Sequence, residues 1–448
     1  MKNDFTVLIV SSVWWSAITR AALEFLESGA TVHAICPPGH SLRCIRGISS
    51  VSSYPCFSSL ATLSDAIVQT KPDLIIPADD RVVGALHQIH AEADPTTRAG
   101  RLCRDIIERS LGQPAYFAYA QTRLRLIDAL RARNIPTPAA VNLDTVEDVH
   151  RWCATVPGPW VLKRDRSWGG SGVVIADTLH EAESSFRRLS QPVRMACALR
   201  VLLADRDIYS FMEATARRSM PVIAQAHVSG MPANIMVACW QGKVIGTLGV
   251  NVLSYQGRTG AATVIEITQS ADMERAAQVT CAALNLSGFF GLDFVRCAKT
   301  GTYHFIEMNP RLTQIGHLCH GGTTLIRRLL QHVQGSALAT RPHPGQEVGE
   351  RSVIALFPQI LRADAASLRN AGAWIDIPWR YPELVEELLR RPWPRRGSVA
   401  RLEERLRPNM PYGKSVDRGE ALGKLSTLLQ GGMMTDSSPM AALRTSHI

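Results

Sequence analysis

The chain has 448 residues, 46% apolar and 20% charged, a balance that excludes a disordered, collagen-like or coiled-coil protein. Its length suggests about three domains. Lys and Arg together number 49 against 39 Asp and Glu, a surplus that brings nucleic acid, anionic surfaces and phosphate-bearing ligands into view as partners. Only seven of those cations are lysine. Such an arginine skew is the mark of genomic base composition more than of a binding patch, so nucleic acid is not the expected partner. The ten cysteines form no Cys-x-x-Cys pair, which excludes zinc-knuckle and thioredoxin-type centres and predicts reduced thiols in a cytoplasm. No apolar run approaches the roughly 18 residues that a membrane span needs. The short apolar run from Phe5 to Val10 follows Asp4 and does not read as an export signal.

Taken in chain order, residues 1–115 alternate strand and helix. The apolar run Phe5–Ser11 is a strand, followed by a helix from Ser16 to Ser28, a strand Thr31–Cys36, a helix Leu60–Thr70 and a strand Asp73–Pro77 that leads into a helix beyond Asp80. This order predicts a small open parallel sheet. The first turn, Ser11-Ser-Val-Trp-Trp-Ser16, carries no Gly-x-Gly-x-x-Gly, so a dinucleotide-binding Rossmann domain is not expected. Residues 116–338 mix the two elements differently. An amphipathic helix runs from Gln121 to Asn134, a strand Trp160–Lys163 enters a glycine-rich loop, and strands follow at 222–229, 234–240 and 243–250. A helix over 272–285, strands Phe289–Cys297 and Thr302–Met308, and a helix Gly322–Val333 complete this region. Residues 339–448 form an extension richer in Pro, Arg and Trp, whose end beyond Pro408 is expected to be poorly ordered.

The most informative segment runs from Gly288 to Arg311. Two apolar runs flank Ala298-Lys-Thr-Gly301, which signals a hairpin. A turn centred on Thr300 sets Asp293 opposite Glu307, with side chains about 5 Å apart at Cβ. Asn309 and Arg311 then follow on the same face. Two carboxylates and a carboxamide make an oxygen-only site of the kind Mg²⁺ uses together with substrate phosphates; Mn²⁺ suits the same donors. Opposed carboxylates repel each other without a cation, so Asp293, Glu307 and Asn309 are candidate metal ligands. The plainer reading is an ordinary hairpin with solvated acids, but the apolar neighbours of both acids argue for burial.

Lys163 precedes a loop containing Gly169, Gly170, Ser171 and Gly172. Glycines let backbone N–H groups approach phosphate oxygens, and a lysine adds a point charge to the same site. The Lys-before-Gly order is not that of a Walker A loop. Two other features carry alternatives. Asp79-Asp80-Arg81 at the carboxyl end of a parallel strand is either an acceptor-substrate contact or a helix N-cap. His317-Leu-Cys-His320 is either a soft-metal pair or, as we expect, a loop beside the site. The C-terminal arginines from 390 to 407 interleave with Glu403 and Glu404 and read as a solvated helical face.

Together these motifs resemble the ATP-grasp superfamily over residues 1–335. Glu307-Met-Asn309-Pro-Arg311 looks like its metal motif, Asp293 like its first metal carboxylate, and Lys163 with Gly169–Gly172 like its lysine and phosphate loop. The resemblance implies a pre-ATP-grasp parallel α/β domain (1–115), a two-lobed ATP-grasp fold (116–338) and a C-terminal extension (339–448), hence an α/β and α+β architecture. It further implies that Arg123 is a phosphate-binding cation, and that Gln225, Ala226 and Val228 lie on the inter-lobe hinge that reads adenine. Ala226 stands where the family carries an acid. The acid expected after Gly230 is replaced by Met231-Pro-Ala-Asn234, with Asn234 as its substitute.

The activity implied is an ATP- and Mg²⁺-dependent ligase that converts a small carboxylate to an acyl phosphate and joins it to an amine, with Lys163 and Arg311 as catalytic residues. Gly291 occupies the place of an arginine found in D-alanine–D-alanine ligase, and Leu312–His317 lacks the glutamate of biotin carboxylase, so neither specific chemistry is expected. Carboxyphosphate formation from bicarbonate, a catalytically silent ATP-binding module and a nucleic-acid-acting protein are the alternatives. A homo-oligomer is left open.

Overall fold

The computed structural model describes residues 5–55, 58–164, 172–192, 194–205, 207–215, 220–256, 260–335, 353–363, 373–406 and 418–430. Its first sheet is parallel and four-stranded, in the order Ser50–Ser53, Thr31–Cys36, Thr6–Val10, Leu74–Pro77. Side chains alternate along the central strand. Val7 and Ile9 pack with Ile18 and Phe25 of the Ala17–Glu27 helix, while Leu8 and Val10 pack on the other face with Leu63, Ile67, Val82 and Leu86. Both faces are therefore apolar, which is why the strand reads as a continuous hydrophobic run.

A second four-stranded sheet, entirely antiparallel, has the order Ala140–Leu143, Val222–Ala226, Trp160–Arg164, Val173–Ala176. Its outer face, bearing Trp160, Leu162, Val222 and Ala224, is covered by the helices Val146–Thr155 and Leu179–Ser190. Each of those helices starts with a capping box, Thr145 with Asp148 and Thr178 with Glu181, which satisfies the amide donors of the first turn.

The largest sheet has seven strands: Tyr303–Asn309, Gly288–Cys297, Gly230–Trp240, Lys243–Tyr255, Ala262–Thr268, Val353–Ala355 and Trp374–Ile375. All neighbours are antiparallel except the last pair. Its outer face carries Ile235, Val237, Phe290, Leu292 and Phe294, packed with Met273, Ala276 and Ala277 of the Ala271–Leu284 helix and with Leu126 and Leu130 of the Arg123–Arg131 helix. On the other face Met236, Ala238, Leu248 and Val250 share a core with Val7, Ile9 and Ile18 of the parallel-sheet layer.

Two features depart from the sequence reading. The segment assigned to a C-terminal extension supplies the last two strands of the seven-stranded sheet, because Val353–Ala355 pairs with Val264–Glu266. Residues 418–430, expected to lack order, form a helix whose Ala421, Leu425 and Leu428 bury against Ile360, Ile375 and Val385. Those apolar positions repeat at helical spacing, but the Gly and Ser around them dilute the signal. Arg395 and Arg396 are engaged by Glu403 and Glu387, so part of the arginine-rich tail is paired within the chain.

Candidate functional site

The carboxylate hairpin folds with the expected register where it matters. Asp293 lies opposite Glu307 and Gly291 opposite Asn309, while a bulge beyond Asp293 re-pairs Phe294 with Phe305. Asn309 donates through Nδ2 to Asp293 Oδ2 at 2.9 Å. The third strand adds a partner not anticipated. Asn234 lies in register with Asp293 and donates through Nδ2 to Asp293 Oδ1. Asn234, read from the sequence as the substitute for the acid expected after Gly230, thus stands among the acids; cross-strand pairing, not distance along the chain from the hinge, sets its place. Asn234 Oδ1 is buried with no hydrogen-bond partner.

The charges of this cluster are interdependent. Burial and the neighbouring Glu307 charge push the Asp293 carboxyl up to about 6, against the two carboxamide donors and Arg311. Glu307 is pushed up by burial, but Arg123, Lys163 and Arg311 outweigh this and hold it below the ordinary range. Arg123 opens the Arg123–Arg131 helix, reaches Glu307 Oε2 through Nε at 3.2 Å, and donates through Nη1 to the Arg164 carbonyl at 2.9 Å. Arg123 is thereby tied to the acidic cluster.

Lys163 comes from the small antiparallel sheet. It pairs with Ile223, and Val161 pairs with Gln225, so Lys163, Ile223 and Gln225 share the face opposite the helices. Lys163 is buried, 6% exposed. Burial lowers its ammonium to about 8, with Glu307 and Asp293 opposing that shift and Arg123 adding to it. The two sheets thus turn polar inner faces toward one another, one acidic and one cationic, with helices on their outer sides. Gln225 is 2% exposed and its Nε2 has no partner, which rules out an outward-facing residue. Ala226 and Val228 lie at the end of the same strand and just beyond it; the Ala226 amide is already used by the Ala139 carbonyl at 2.8 Å. Of the proposed phosphate loop, Gly169, Gly170 and Ser171 lie outside the described residues, while the Gly172 carbonyl accepts from the Arg164 amide at 2.8 Å.

Arg311 follows the metal-motif strand and links it to the parallel-sheet layer. Its Nε lies 3.3 Å from Asp80 Oδ1, and its Nη2 donates to Asn309 Oδ1 at 3.4 Å. Of the Asp79-Asp80-Arg81 trio, only Asp80 reaches this cluster. Asp79 is the N-cap of the Asp80–Glu92 helix and accepts from the Ser12 amide and hydroxyl at 2.7 and 2.8 Å. Arg81 is held by Asp207. Gly291 is roofed by Thr313: a Cβ there would meet Thr313 Cγ2 at 2.5 Å, so a side chain at that position requires Thr313 to shift. Of the two histidines read as a possible pair, His317 contacts Asp376 Oδ2 through Nε2 and His320 belongs to a short hairpin. Among the described residues no three carboxylate, imidazole or thiol groups converge to hold a metal.

Comparison with known proteins places this geometry. Residues 120–314 match the ATP-grasp domain family. No curated protein matches the chain in sequence. Among solved structures, the biotin carboxylase domain of Hydrogenobacter thermophilus 2-oxoglutarate carboxylase, determined with MgADP, ADP and bicarbonate, is similar at a TM-score of 0.53 and 16% identity, covering 76% of this chain and 71% of that one. An L-amino acid ligase from Bacillus licheniformis gives 0.52 and 15%, covering 76% of each. An N5-carboxyaminoimidazole synthase from Aspergillus clavatus, determined with ADP and an aminoimidazole ribonucleotide, gives 0.51 and 12%, covering 76% and 80%. At these identities the likeness is one of fold. The matched residues contain the small sheet, five strands of the large one and their cluster of acids and cations, and this part of the chain is an ATP-grasp domain.

Proposed function

We propose that the protein is an ATP- and Mg²⁺-dependent ligase that activates a small carboxylate as an acyl phosphate and joins it to an amine. The observation that carries this reading is the opposition of Asp293, Glu307 and Asn309 on one sheet to Lys163, with Arg123 beside them. The fit to Mg²⁺ follows from the donors: two opposed, half-buried carboxylates whose mutual repulsion raises Asp293, and carboxamides in place of any third acid. Magnesium typically takes one or two carboxylates and completes its shell with substrate phosphates and water. When bound, it neutralises charge on the phosphate oxygens.

The chain's own groups divide the remaining work. Lys163 and Arg123 are placed to hold the triphosphate and to stabilise charge on the transferring phosphoryl group. The unpartnered Gln225 Nε2, on the same face as Lys163, offers a buried donor to the nucleotide. Val228, at the hinge beyond it, is the backbone position for the base, because the Ala226 amide is already committed. A carboxylate oxygen attacks the γ-phosphorus, the bond to the β-phosphate oxygen breaks, and ADP leaves. Arg311, tethered by Asp80 and Asn309, is placed to orient that carboxylate and to stabilise the oxyanion formed when the amine attacks the acyl carbon and phosphate departs.

The amine ligation reading has the support of a similar fold in an L-amino acid ligase. Bicarbonate as the carboxylate is the second reading, supported by its presence in the similar biotin carboxylase domain. Both draw on small-molecule substrates. No described helix is long and apolar enough to cross a membrane. The test is ADP release with Mg²⁺ and pools of carboxylates, bicarbonate and amines. Release that depends on a carboxylate and is lost in Glu307→Ala is expected. Turnover that survives this substitution overturns the metal role, and ATP binding without phosphate release under any pool identifies a silent module instead.

A further inference from the structure

The first residue of the Asp80–Glu92 helix is fixed by the residue on either side of it. Asp79 caps the helix through the Val82 amide and also accepts from the Ser12 amide and hydroxyl. Arg81 donates through Nη1 and Nη2 to the two carboxylate oxygens of Asp207, each at 2.9 Å. With the cap supplied by Asp79, the Asp80 carboxylate is not needed for that role. It is directed at Arg311 instead, with Oδ1 standing 3.3 Å from Nε.

This contact is an ion pair without a hydrogen bond. Asp80 Oδ1 and Arg311 Nε are both shielded from solvent, and among the described residues neither has a hydrogen-bond partner. Of the guanidinium donors only Nη2 is engaged, by Asn309 Oδ1 at 3.4 Å. The Asp80 side chain is nevertheless 34% exposed; with Oδ1 shielded, its Oδ2 side is the open one. A cationic fork and a carboxylate oxygen therefore stand side by side, next to the candidate metal ligand Asn309.

Such a pair selects among carboxylates. A lone carboxylate on Arg311, bicarbonate included, brings a second negative charge beside Asp80, and like charges at that range repel. An α-amino acid avoids the conflict because it carries its own cation. Standard N–Cα and Cα–C geometry puts its ammonium nitrogen about 2.5 Å from its carboxylate carbon. That spacing is close to the 3.3 Å between Asp80 Oδ1 and Arg311 Nε. The two dipoles can then lie antiparallel, carboxylate against guanidinium and ammonium against Asp80, so that each charge meets its opposite.

We propose that Asp80 and Arg311 form the subsite for an α-amino acid, whose carboxylate is the group activated by ATP. The proposal rests on the ligase reading for the activation step, though not for the binding. Asp80 is the specificity-determining residue. The ammonium it holds stays protonated and has no lone pair to attack with. The amine that captures the acyl phosphate therefore belongs to a second molecule.

The test has two arms, both on the full chain. Without ATP, saturation-transfer NMR titrations compare the protein amino acids with the carboxylates that lack the α-amino group, such as propionate for alanine and 3-phenylpropionate for phenylalanine. At least one amino acid is expected to bind at least tenfold more tightly than its counterpart. Asp80→Asn should cut that preference below twofold without weakening the counterpart, whereas loss of a mere tether for Arg311 would weaken both alike. Equal affinity within every pair, no binding by any amino acid, or a preference that Asp80→Asn leaves intact overturns the subsite. If Asp80→Asn does not fold, as judged by its thermal midpoint, the paired comparison on the natural protein decides, together with N-acetyl amino acids, which keep the nitrogen and lose its charge. In the second arm ATP, Mg²⁺ and hydroxylamine are added. The hydroxylamine nitrogen bonds to the acyl carbon, phosphate departs, a proton goes to solvent and a hydroxamate forms. Hydroxamate made as readily from the counterparts as from the amino acids sinks only the subsite, and selective amino-acid binding without hydroxamate sinks only the ligase reading.

Discussion

Replacing Asp293 by asparagine separates what the acid does for the fold from what it does for chemistry. In the ligand-free protein its carboxyl is pushed from 3.8 to about 6 by burial and by Glu307. A folded value above the unfolded one means that the native state holds its proton more tightly. Stability from this group is therefore fully present below pH 3.8, falls as pH rises toward 6, and stays low above it. At 1.36 kcal/mol for each pK unit, the loss reaches at most about 3 kcal/mol. Asp293→Asn removes that loss, and Asn234 can turn its amide so that its now unpartnered Oδ1 accepts from the new carboxamide. The variant is expected to match the natural protein near pH 4 and to gain stability progressively to pH 7, as read by denaturant and thermal unfolding. Addition of Mg²⁺ and ADP at 100 times their dissociation constant should then stabilise the natural protein by about 2.7 kcal/mol and leave the variant unmoved. Unfolding curves that run parallel from pH 4 to 8, or a variant that Mg²⁺ and ADP stabilise equally, would refute the assignment of Asp293 as a repelled acid awaiting a cation.

Two further outcomes follow from the same geometry. Because burial lowers Lys163 to about 8, it loses its charge as pH rises from 7 to 9, and ATP affinity measured by calorimetry should fall across that range. Lys163→Met should abolish this pH dependence and reduce kcat/KM for ATP about 100-fold. Gly291→Ala places a Cβ 2.5 Å from Thr313 Cγ2 and should destabilise the protein by about 1–3 kcal/mol. Thr313→Ser removes the opposing methyl, so the double variant should recover most of that loss. A cycle with no coupling between the two positions would show that the roof over Gly291 gives way elsewhere.

The parts of the site that were legible in the sequence are the local ones. Asp293 and Glu307 face each other across a short turn, so the turn alone sets their register down to the bulge at Phe294. The strand and helix alternation of the first 115 residues is likewise carried by apolar periodicity within each element. Lys163 was readable from its position before a glycine-rich loop. The place of Asn234 beside Asp293 was not legible, because its partner is set by the pairing of Gly230–Trp240 with Gly288–Cys297, and strand pairing across so long a separation leaves no local trace.

The same reason accounts for the other differences. The Arg311–Asp80 link, the Arg20–Asp376–His317 triad and the entry of Val353–Ala355 into the large sheet each join segments tens to hundreds of residues apart. The sequence by itself determined the parallel layer, the acidic hairpin and the cations near it, since periodicity and turn chemistry act over a few residues. Only the tertiary structure decided which polar groups meet. Burial and shared neighbours give those groups their altered charge, and these depend on how whole sheets pack.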